Sequence, residues 1–292
     1  MGFKRYTQFC KHYHLEPLPT DEETLCFFVT YLASDVQYPT IKLYLAAIRF
    51  FQLQEGMQNP LHKTPRLSIL LRGVQKQARP RARLPISPVL LQNVVEVIQR
   101  SDMSTHDQYL YASAMTMAFF GCLRCGEITY PSAARFHPRK HLTINDVRLS
   151  KEALEVVVKQ SKTDQTGKGA RAIIGPGSQN LCPLKLLRKF LRYRRYAAGS
   201  DALFRLQDGS LLTRAKLHAR LQQSLEALGL PASKFGTHSL RIGSATAAAA
   251  IGVPMDIIKS MGRWSSECYR RYIRAPHNAL FGLTRKLCHD HP

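Results

Sequence analysis

Three short stretches of the sequence carry side chains that could act on a phosphate group. They lie far apart along the chain, at residues 121–129, 236–250 and 261–274. In the first, Arg124 and Glu127 are three positions apart at the end of an apolar segment. A guanidinium beside so apolar a segment is costly to bury unless it has a partner. Glu127 could orient Arg124 and leave its planar fork open to a phosphate, although a purely structural Arg–Glu pair is common at this spacing.

The second stretch is predicted to open a helix with residues suited to an anion. Thr237 is the expected N-cap, and His238 and Arg241, three positions apart, share one face. Both lie near the helix N-terminus, where backbone N–H groups and the helix dipole already favour negative charge. This combination suits phosphate chemistry, but the same spacing also occurs on ordinary helix surfaces.

The third stretch holds Trp264, the only tryptophan, followed by two tyrosines one helical turn apart, Tyr269 and Tyr272. Ser265 or Ser266 is expected to cap the helix that carries them. Four arginines surround these tyrosines, namely Arg263, Arg270, Arg271 and Arg274. Nearby positive charge favours the ionised form of a tyrosine, whereas a packed aromatic helix with a basic outer face explains the same pattern.

Taken in order, these motifs resemble those of the tyrosine recombinases, also called phage-type integrases. The shared pattern is Arg-x-x-Glu, a hairpin lysine, His-x-x-Arg, then Gly-x-Trp followed by Tyr-Ile-Arg. The distances are 114 residues from Arg124 to His238 and 31 from Arg241 to Tyr272. The resemblance covers the whole chain and implies a catalytic set with Glu127 as the orienting residue: Arg124, Lys162, His238, Arg241, Trp264 and Tyr272. Lys168 is the alternative to Lys162 in the same turn-rich segment.

Two features depart from the common family pattern. Trp264 stands where many members have histidine, a substitution that working recombinases also show. The step from Trp264 to Tyr272 is eight residues, and a count of nine, usual in bacterial and phage members, would land on Ile273. The assignment of Tyr272 therefore depends on the Tyr-Ile-Arg match. The sequence LPISP at residues 84–88 and the final motifs most resemble recombinases of eukaryotic mobile elements, the Crypton and DIRS-like groups.

The resemblance implies a reaction that needs no metal, cofactor or ATP. The Tyr272 oxygen would attack a phosphodiester of duplex DNA and form a covalent 3′-phosphotyrosine, releasing a 5′-hydroxyl. Arg124 and Arg241 would balance the charge of the transition state, and Lys162 would protonate the leaving oxygen. The expected assembly is a homotetramer on two DNA sites. Two other functions stay open: a catalytically silent DNA-binding regulator derived from a recombinase, and a type IB topoisomerase-like enzyme.

A mainly helical fold with a small antiparallel sheet is expected to position these residues. Apolar residues at helical spacing predict about four helices in residues 1–79, which resemble the family's core-binding domain. Thr20 is the expected cap of one helix. Thr40 is expected to open another, whose predicted inward residues are Leu43, Ala46, Ala47, Phe50 and Phe51. Residues 80–87 are predicted to be a linker, because prolines and arginines are frequent there.

The catalytic domain is expected to span residues 88–292. Ser87-Pro88 predicts the start of its first helix, and a very apolar helix is expected over 107–121. Short β-branched segments predict a three-stranded antiparallel meander, at Val147–Leu149, Ala153–Lys159 and Ala170–Ile174. Helices are then expected at 183–197, 213–228, 238–250 and 254–261.

The charge of the chain favours a polyanionic partner. Among 292 residues there are 42 basic and 20 acidic side chains, a net charge of +22. Residues 81–292 carry 32 and 14 of them, a net charge of +18. The expected DNA contacts are Arg79, Arg81, Arg83, Arg263, Arg270 and Arg271. For Arg79, Arg81 and Arg83, which lie in or next to the linker, a merely solvated segment is an equally good interpretation.

Other features of the sequence indicate where in the cell the protein is located. No run of about 18 apolar residues predicts a membrane span, and the N-terminus lacks the apolar region of a secretory signal. The seven cysteines, an odd number, favour a reduced protein. We therefore expect an intracellular protein, in the nucleus if the host is eukaryotic. Cys122 and Cys125 have metal-site spacing but lack a second ligand pair, so they are interpreted as small buried side chains.

Overall fold

The chain divides into two compact units, Met1–Arg81 and Ala82–Pro292. The computed structural model describes residues 2–77, 83–159, 169–178, 181–194 and 198–274. Within these residues the structure is mainly helical with one three-stranded antiparallel sheet, which confirms the expected fold class. None of the described helices is long and apolar enough to cross a membrane.

The described part of the first unit is a bundle of helices around an aromatic core. Its helices are α1 (Gly2–His12), α2 (Glu22–Ala33), α3 (Tyr38–Gln54) and α4 (Pro65–Gln77). The cap of α2 is Asp21, whose carboxylate accepts the N–H of Thr24 at 2.8 Å. Thr20, the expected cap, is instead buried and accepts a hydrogen bond from the Tyr6 hydroxyl. The sequence prediction was thus wrong by one residue.

The buried face of α3 also differs from the expectation. Ile41, Leu45 and Ile48 are buried, whereas Leu43 and Phe50 are 66% and 63% exposed. The predicted inward residues and the residues that are buried both have helical spacing, because α3 is apolar on more than one side. The packing of α1 against α3 decides which side is covered, and that packing is not visible in the spacing of one helix.

The second unit is built around one helix that is buried on all sides. Its helices are α5 (Pro88–Gln99), α6 (Thr105–Phe120), α7 (Cys125–Ile128), α8 (Pro183–Tyr193), α9 (Arg214–Ala227), α10 (His238–Ala250) and α11 (Met255–Met261). A 3-10 helix follows at Glu267–Tyr272. The apolar helix α6 packs against α5, α8 and α10, so its C-terminal end is fixed where the first motif begins.

The expected meander is confirmed. Strands β1 (Val147–Leu149), β2 (Leu154–Val158) and β3 (Ala170–Ile174) form an antiparallel sheet in the order β1-β2-β3. Alternate side chains of β2 are buried, and Val156 lies opposite Val147 and Ala172. Lys162 and Lys168, which follow β2 in the sequence, both lie outside the described residues.

The segment that enters the second unit is bound along the start of α10. The Leu84 N–H donates to the Lys234 carbonyl at 2.9 Å, and the Ile86 N–H donates to the Ser239 carbonyl at 3.1 Å. Gly243 lies directly against this segment, since a Cβ there would come within 1.8 Å of the Ile86 carbonyl oxygen. Residues 84 and 86 are thus part of the packed unit and not a free linker.

This contact predicts that Gly243→Ala destabilises the protein. The added methyl group meets backbone, which cannot rotate away, so we expect a loss of at least about 1–3 kcal/mol, the usual scale of overpacking. The measurement is the free energy of unfolding in urea. Gly73→Ala in α4 is the control: nothing lies within 4 Å of its added methyl, and alanine is the better helix former. Equal stability of Gly243→Ala and wild type would contradict the packing.

Candidate active site

The three motif stretches meet at one cleft of the second unit, about 730 Å³ in volume. The residues that line it are Arg124, Cys125, Gly126, Glu127, Lys140, His141, Arg214, Thr237, His238 and Tyr272. Four residues selected from the sequence are therefore together, although up to 148 positions separate them. Arg241 and Trp264 lie outside this lining.

Glu127 orients Arg124, as the sequence predicts. Arg124 precedes the short helix α7, and its Nη1 lies 3.0 Å from Glu127 Oε1. Glu127 Oε2 accepts the Arg124 backbone N–H at 2.8 Å. The carboxylate is almost completely buried, whereas 20% of the Arg124 side chain is exposed. Glu127 thus fixes the arginine while part of its guanidinium still faces the cleft.

The same carboxylate binds a second arginine, Arg263. Its Nη2 lies 2.8 Å from Glu127 Oε2, and its Nη1 donates to the Gly121 carbonyl at 3.1 Å. Arg263 also has a positive φ of 55°, within the tight turn after α11. The sequence places Arg263 on DNA, and the structure corrects this. Its guanidinium points inward and ties the turn before Trp264 to the end of α6.

Arg241 is completely buried beneath the cleft. Its guanidinium donates to the Cys122 carbonyl and, at 2.5 Å, to the Gly262 carbonyl. It also stacks on the Trp264 ring at 4.3 Å from the ring centroid, a favourable cation–π geometry. The resemblance implies a direct contact between Arg241 and phosphate. In this structure the arginine instead holds the end of α6 to the turn at Gly262.

The position of Trp264 explains the Gly-x-Trp pattern. Its ring lies on Gly262, where a Cβ would come within 1.7 Å of the ring, so only glycine allows this contact. Trp264 is 6% exposed, and its indole N–H has no hydrogen-bond partner among the described residues. The ring packs against Tyr272 with a centroid distance of 5.0 Å, which places the tryptophan behind the tyrosine.

The structure separates the two tyrosines of the last motif. Both lie on the 3-10 helix Glu267–Tyr272, which Ser266 caps by accepting the Cys268 N–H. Tyr269 is 3% exposed and packs with Trp264 in a small apolar cluster. Tyr272 lines the cleft, with its ring centroid 5.0 Å from that of His238. Of the two, only Tyr272 is placed to meet a phosphate in the cleft.

His238 is the first residue of α10 and opens into the cleft. Thr237 does not cap this helix, because its backbone is already helical and its side chain makes no capping bond. Ser239 Oγ accepts the Gly236 N–H at 3.0 Å instead. Burial lowers the pKa of His238, and the charges of Arg241, Arg214 and Arg124 lower it further. The imidazole is therefore neutral at neutral pH.

Sequence reasoning missed three basic residues of the cleft: Lys140, His141 and Arg214. Arg214 begins α9, directly after its cap Thr213. Lys140 and His141 end the basic stretch at residues 136–141. The high positive charge of this part of the chain was the available signal, but charge alone does not say which residues share a cleft.

The other predicted DNA contacts differ in their placement. Arg83 is anchored, because its Nη1 donates to the carbonyls of Ser233 at 2.7 Å and Phe235 at 2.6 Å. Arg270 is 73% exposed and pairs with Glu267, and Arg271 is exposed. Arg79 and Arg81 lie outside the described residues. Among the described residues no cluster of potential metal ligands occurs.

The sequence profile of the phage integrase family matches residues 90–277. The chain belongs to the phage integrase family. This is the family of the tyrosine recombinases, which break and rejoin DNA. The match includes every motif that lines the cleft, so the resemblance seen in the motifs is confirmed at the level of the family.

Individual proteins resemble this chain at low sequence identity. An integrase/recombinase described as a XerD homolog, from Selenomonas ruminantium, is 21% identical over 277 residues, covering 92% of this chain and 77% of that protein. The XerH site-specific recombinase bound to a palindromic difH substrate aligns with a TM-score of 0.65 and 21% identity, covering 87% of this chain and 69% of that chain.

The Tn1549 transposon integrase in complex with transposon right end DNA aligns with a TM-score of 0.67 and 15% identity, covering 98% of this chain and 92% of that chain. At these identities the two solved structures show that the fold is shared, while the family membership comes from the sequence profile.

The environment of His238 predicts an unusual titration. In the free protein its imidazole should titrate below the ordinary value of about 6.5, because burial and three arginines disfavour the charged form. Inorganic phosphate bound in the cleft should raise this pKa again by offsetting the arginines. NMR of the histidine ring measures both values, with the exposed His62 as the internal control. A His238 pKa at or above 6.5 without phosphate would contradict the electrostatics.

Proposed function

We propose that this protein is a site-specific DNA recombinase, or integrase, that cuts and rejoins duplex DNA through a covalent 3′-phosphotyrosine at Tyr272. One observation carries this proposal: Tyr272 lies in the same cleft as His238 and the oriented Arg124. A nucleophile, a neutral acid–base group and a fixed guanidinium are the parts that phosphoryl transfer needs.

Each residue of the cleft has a role in this reaction. Arg124 binds the phosphate oxygens with a guanidinium that Glu127 has already oriented, so little entropy is lost on binding. His238, being neutral, can donate a hydrogen bond through one ring nitrogen and move a proton through the other. We propose that Lys162 protonates the leaving 5′-oxygen, and Lys168 is the alternative.

Arg241 acts from below the cleft in this proposal. Its charge contributes a positive potential to the phosphate site, and its contacts with Cys122 and Gly262 keep Trp264 and Tyr272 in place. A direct bond between Arg241 and the phosphate requires the ring of Trp264 or Tyr272 to move when DNA binds. The N–H of Trp264, which has no partner in the described part of the chain, would then become available to a phosphate oxygen.

Duplex DNA is the proposed partner, bound by a homotetramer that holds two DNA sites. The net charge of +18 on residues 81–292 supports a polyanion, and the aligned XerH and Tn1549 integrase structures contain DNA. We propose that the reaction needs neither metal nor ATP, since the arginines supply the positive charge and the phosphotyrosine conserves the bond energy. On the LPISP and Tyr-Ile-Arg motifs, the source is a eukaryotic mobile element of the Crypton or DIRS-like type.

Tyr272→Phe should abolish the covalent adduct with DNA, whereas Tyr269→Phe should retain it. The change removes one oxygen and keeps the ring, so packing against His238 and Trp264 survives. The measurement is a denaturing gel with a nicked suicide duplex, in excess EDTA.

An adduct that persists in Tyr272→Phe but vanishes in Tyr269→Phe would reverse the assignment. Loss of the wild-type adduct in EDTA, with recovery on adding Mg²⁺, would contradict the metal-free mechanism.

Arg83 and Arg271 should differ in how they affect DNA binding. Each phosphate contact contributes about 0.9 to the slope of log affinity against log salt. Arg271→Ala should reduce this slope by about that amount, because Arg271 is exposed. Arg83→Ala should leave the slope unchanged and lower the unfolding temperature, since its guanidinium holds two carbonyls. A reduced slope for Arg83→Ala would restore it as a DNA contact.

A further inference from the structure

One wall of the cleft has no role in the proposed reaction. It is formed by Lys140 and His141, which belong to none of the recombinase motifs. Among the described residues neither side chain takes part in an ion pair. Glu127 is the only acidic residue in the described lining, and Arg124 and Arg263 neutralise it. Within the described lining, the positive charge of this wall is therefore not offset by a carboxylate.

The backbone that carries this wall is held in place. Lys159, at the end of β2, donates from its Nζ to the Pro138 carbonyl at 2.5 Å and to the His141 carbonyl at 3.3 Å. The same Nζ forms an ion pair with Asp146 at 2.5 Å. Asp146 also accepts the Thr143 N–H at 2.6 Å. These bonds attach the segment on both sides of Lys140 to the sheet.

The ring of His141 is fixed as well. It stacks on Phe136 with an interplanar angle of 26°, and its Nδ1 accepts the His137 backbone N–H at 2.9 Å. Because Nδ1 is the acceptor, the neutral ring carries its hydrogen on Nε2. His141 thus keeps one N–H donor for a partner, and its position costs little entropy when a ligand binds.

The basic residues of the cleft come from separate parts of the second unit. Arg124 directly precedes α7 and Arg214 begins α9, whereas Lys140 and His141 belong to the segment that Lys159 binds at the end of β2. The cleft, at about 730 Å³, is much larger than a single phosphate group. Since phosphates of one strand repeat about every 3.4 Å along the duplex axis, an extended strand would bring a second one into it.

We infer that Lys140 and His141 form a subsite for the backbone phosphate next to the scissile one on the same DNA strand. The inference depends on the proposed function, because the scissile phosphate must occupy the Arg124–His238 end. The subsite fixes the strand on two phosphates, so that the scissile phosphorus keeps its alignment with the Tyr272 oxygen. Its effect is therefore on binding and alignment of the strand, and it takes no part in the chemistry.

The test is a double-mutant cycle between Lys140 and a chosen phosphate. Each phosphate flanking the cleavage site is replaced in turn by an uncharged methylphosphonate, and the Kd is measured at low salt. At one of the two positions, wild type should bind about 3- to 10-fold more weakly, the scale of one lost phosphate contact. Lys140→Ala should bind native DNA more weakly than wild type by a similar factor. On the duplex with that methylphosphonate, Lys140→Ala and wild type should bind with equal affinity. His141→Gln should show a smaller coupling at the same position.

Lys185→Ala is the matched control. Lys185 is exposed on α8 and does not line the cleft. Any loss of affinity in Lys185→Ala should therefore add to the loss of affinity that either methylphosphonate causes. Additive losses for Lys140→Ala at both positions, on a duplex that wild type cleaves, would overturn the subsite alone. Absence of a wild-type covalent adduct would refute the proposed function instead, and the two failures are therefore distinguishable.

Discussion

The buried carboxylate of Glu127 is the contact on which the rest of the site depends. It binds Arg124, which faces the cleft, and Arg263, which fixes the turn that leads to Trp264. Two guanidiniums so close together repel one another, and burial increases that repulsion. One carboxylate between them removes the conflict and joins two segments that lie 136 residues apart in the sequence. Without it, the cleft would lose both the orientation of Arg124 and the position of the tyrosine helix.

Backbone carbonyls near this carboxylate also hold the arginines of the site. The carbonyl of Cys122 accepts hydrogen bonds from both Arg241 and Arg263, and Cys122 itself has a positive φ of 44°. A non-glycine residue in this conformation is uncommon and costs free energy. The two charge-assisted hydrogen bonds offset that cost. The end of α6 therefore acts as the base to which both later motifs attach.

Much of the fold follows from local patterns, because helix spacing, caps and strand alternation are local properties. The meander and the helices of the second unit begin and end within a few residues of their predicted positions, and Ser87 caps α5 as expected. The sequence indicated several residues that line the cleft, but it did not indicate which partners their side chains and those of the nearby arginines bind. Motif order indicated Arg124, Glu127, His238 and Tyr272, and the cleft contains all four. An arginine looks the same in sequence whether its partner is a phosphate or a carbonyl, so the bonds of Arg83 to two carbonyls and the inward position of Arg263 were not predictable.

The attachment of residues 84–86 to the start of α10 has a consequence for how the chain tolerates change in length. Leu84 and Ile86 pair with the backbone at Lys234 and Ser239, and Ile86 also lies on Gly243. Extra residues placed before position 83 leave these pairings in register. One residue inserted between Leu84 and Ile86 should move Ile86 off Gly243 and shift the start of α10, which carries His238. The spacing of these three positions therefore sets the place of the histidine, whereas the pairings themselves do not depend on the length of chain before them.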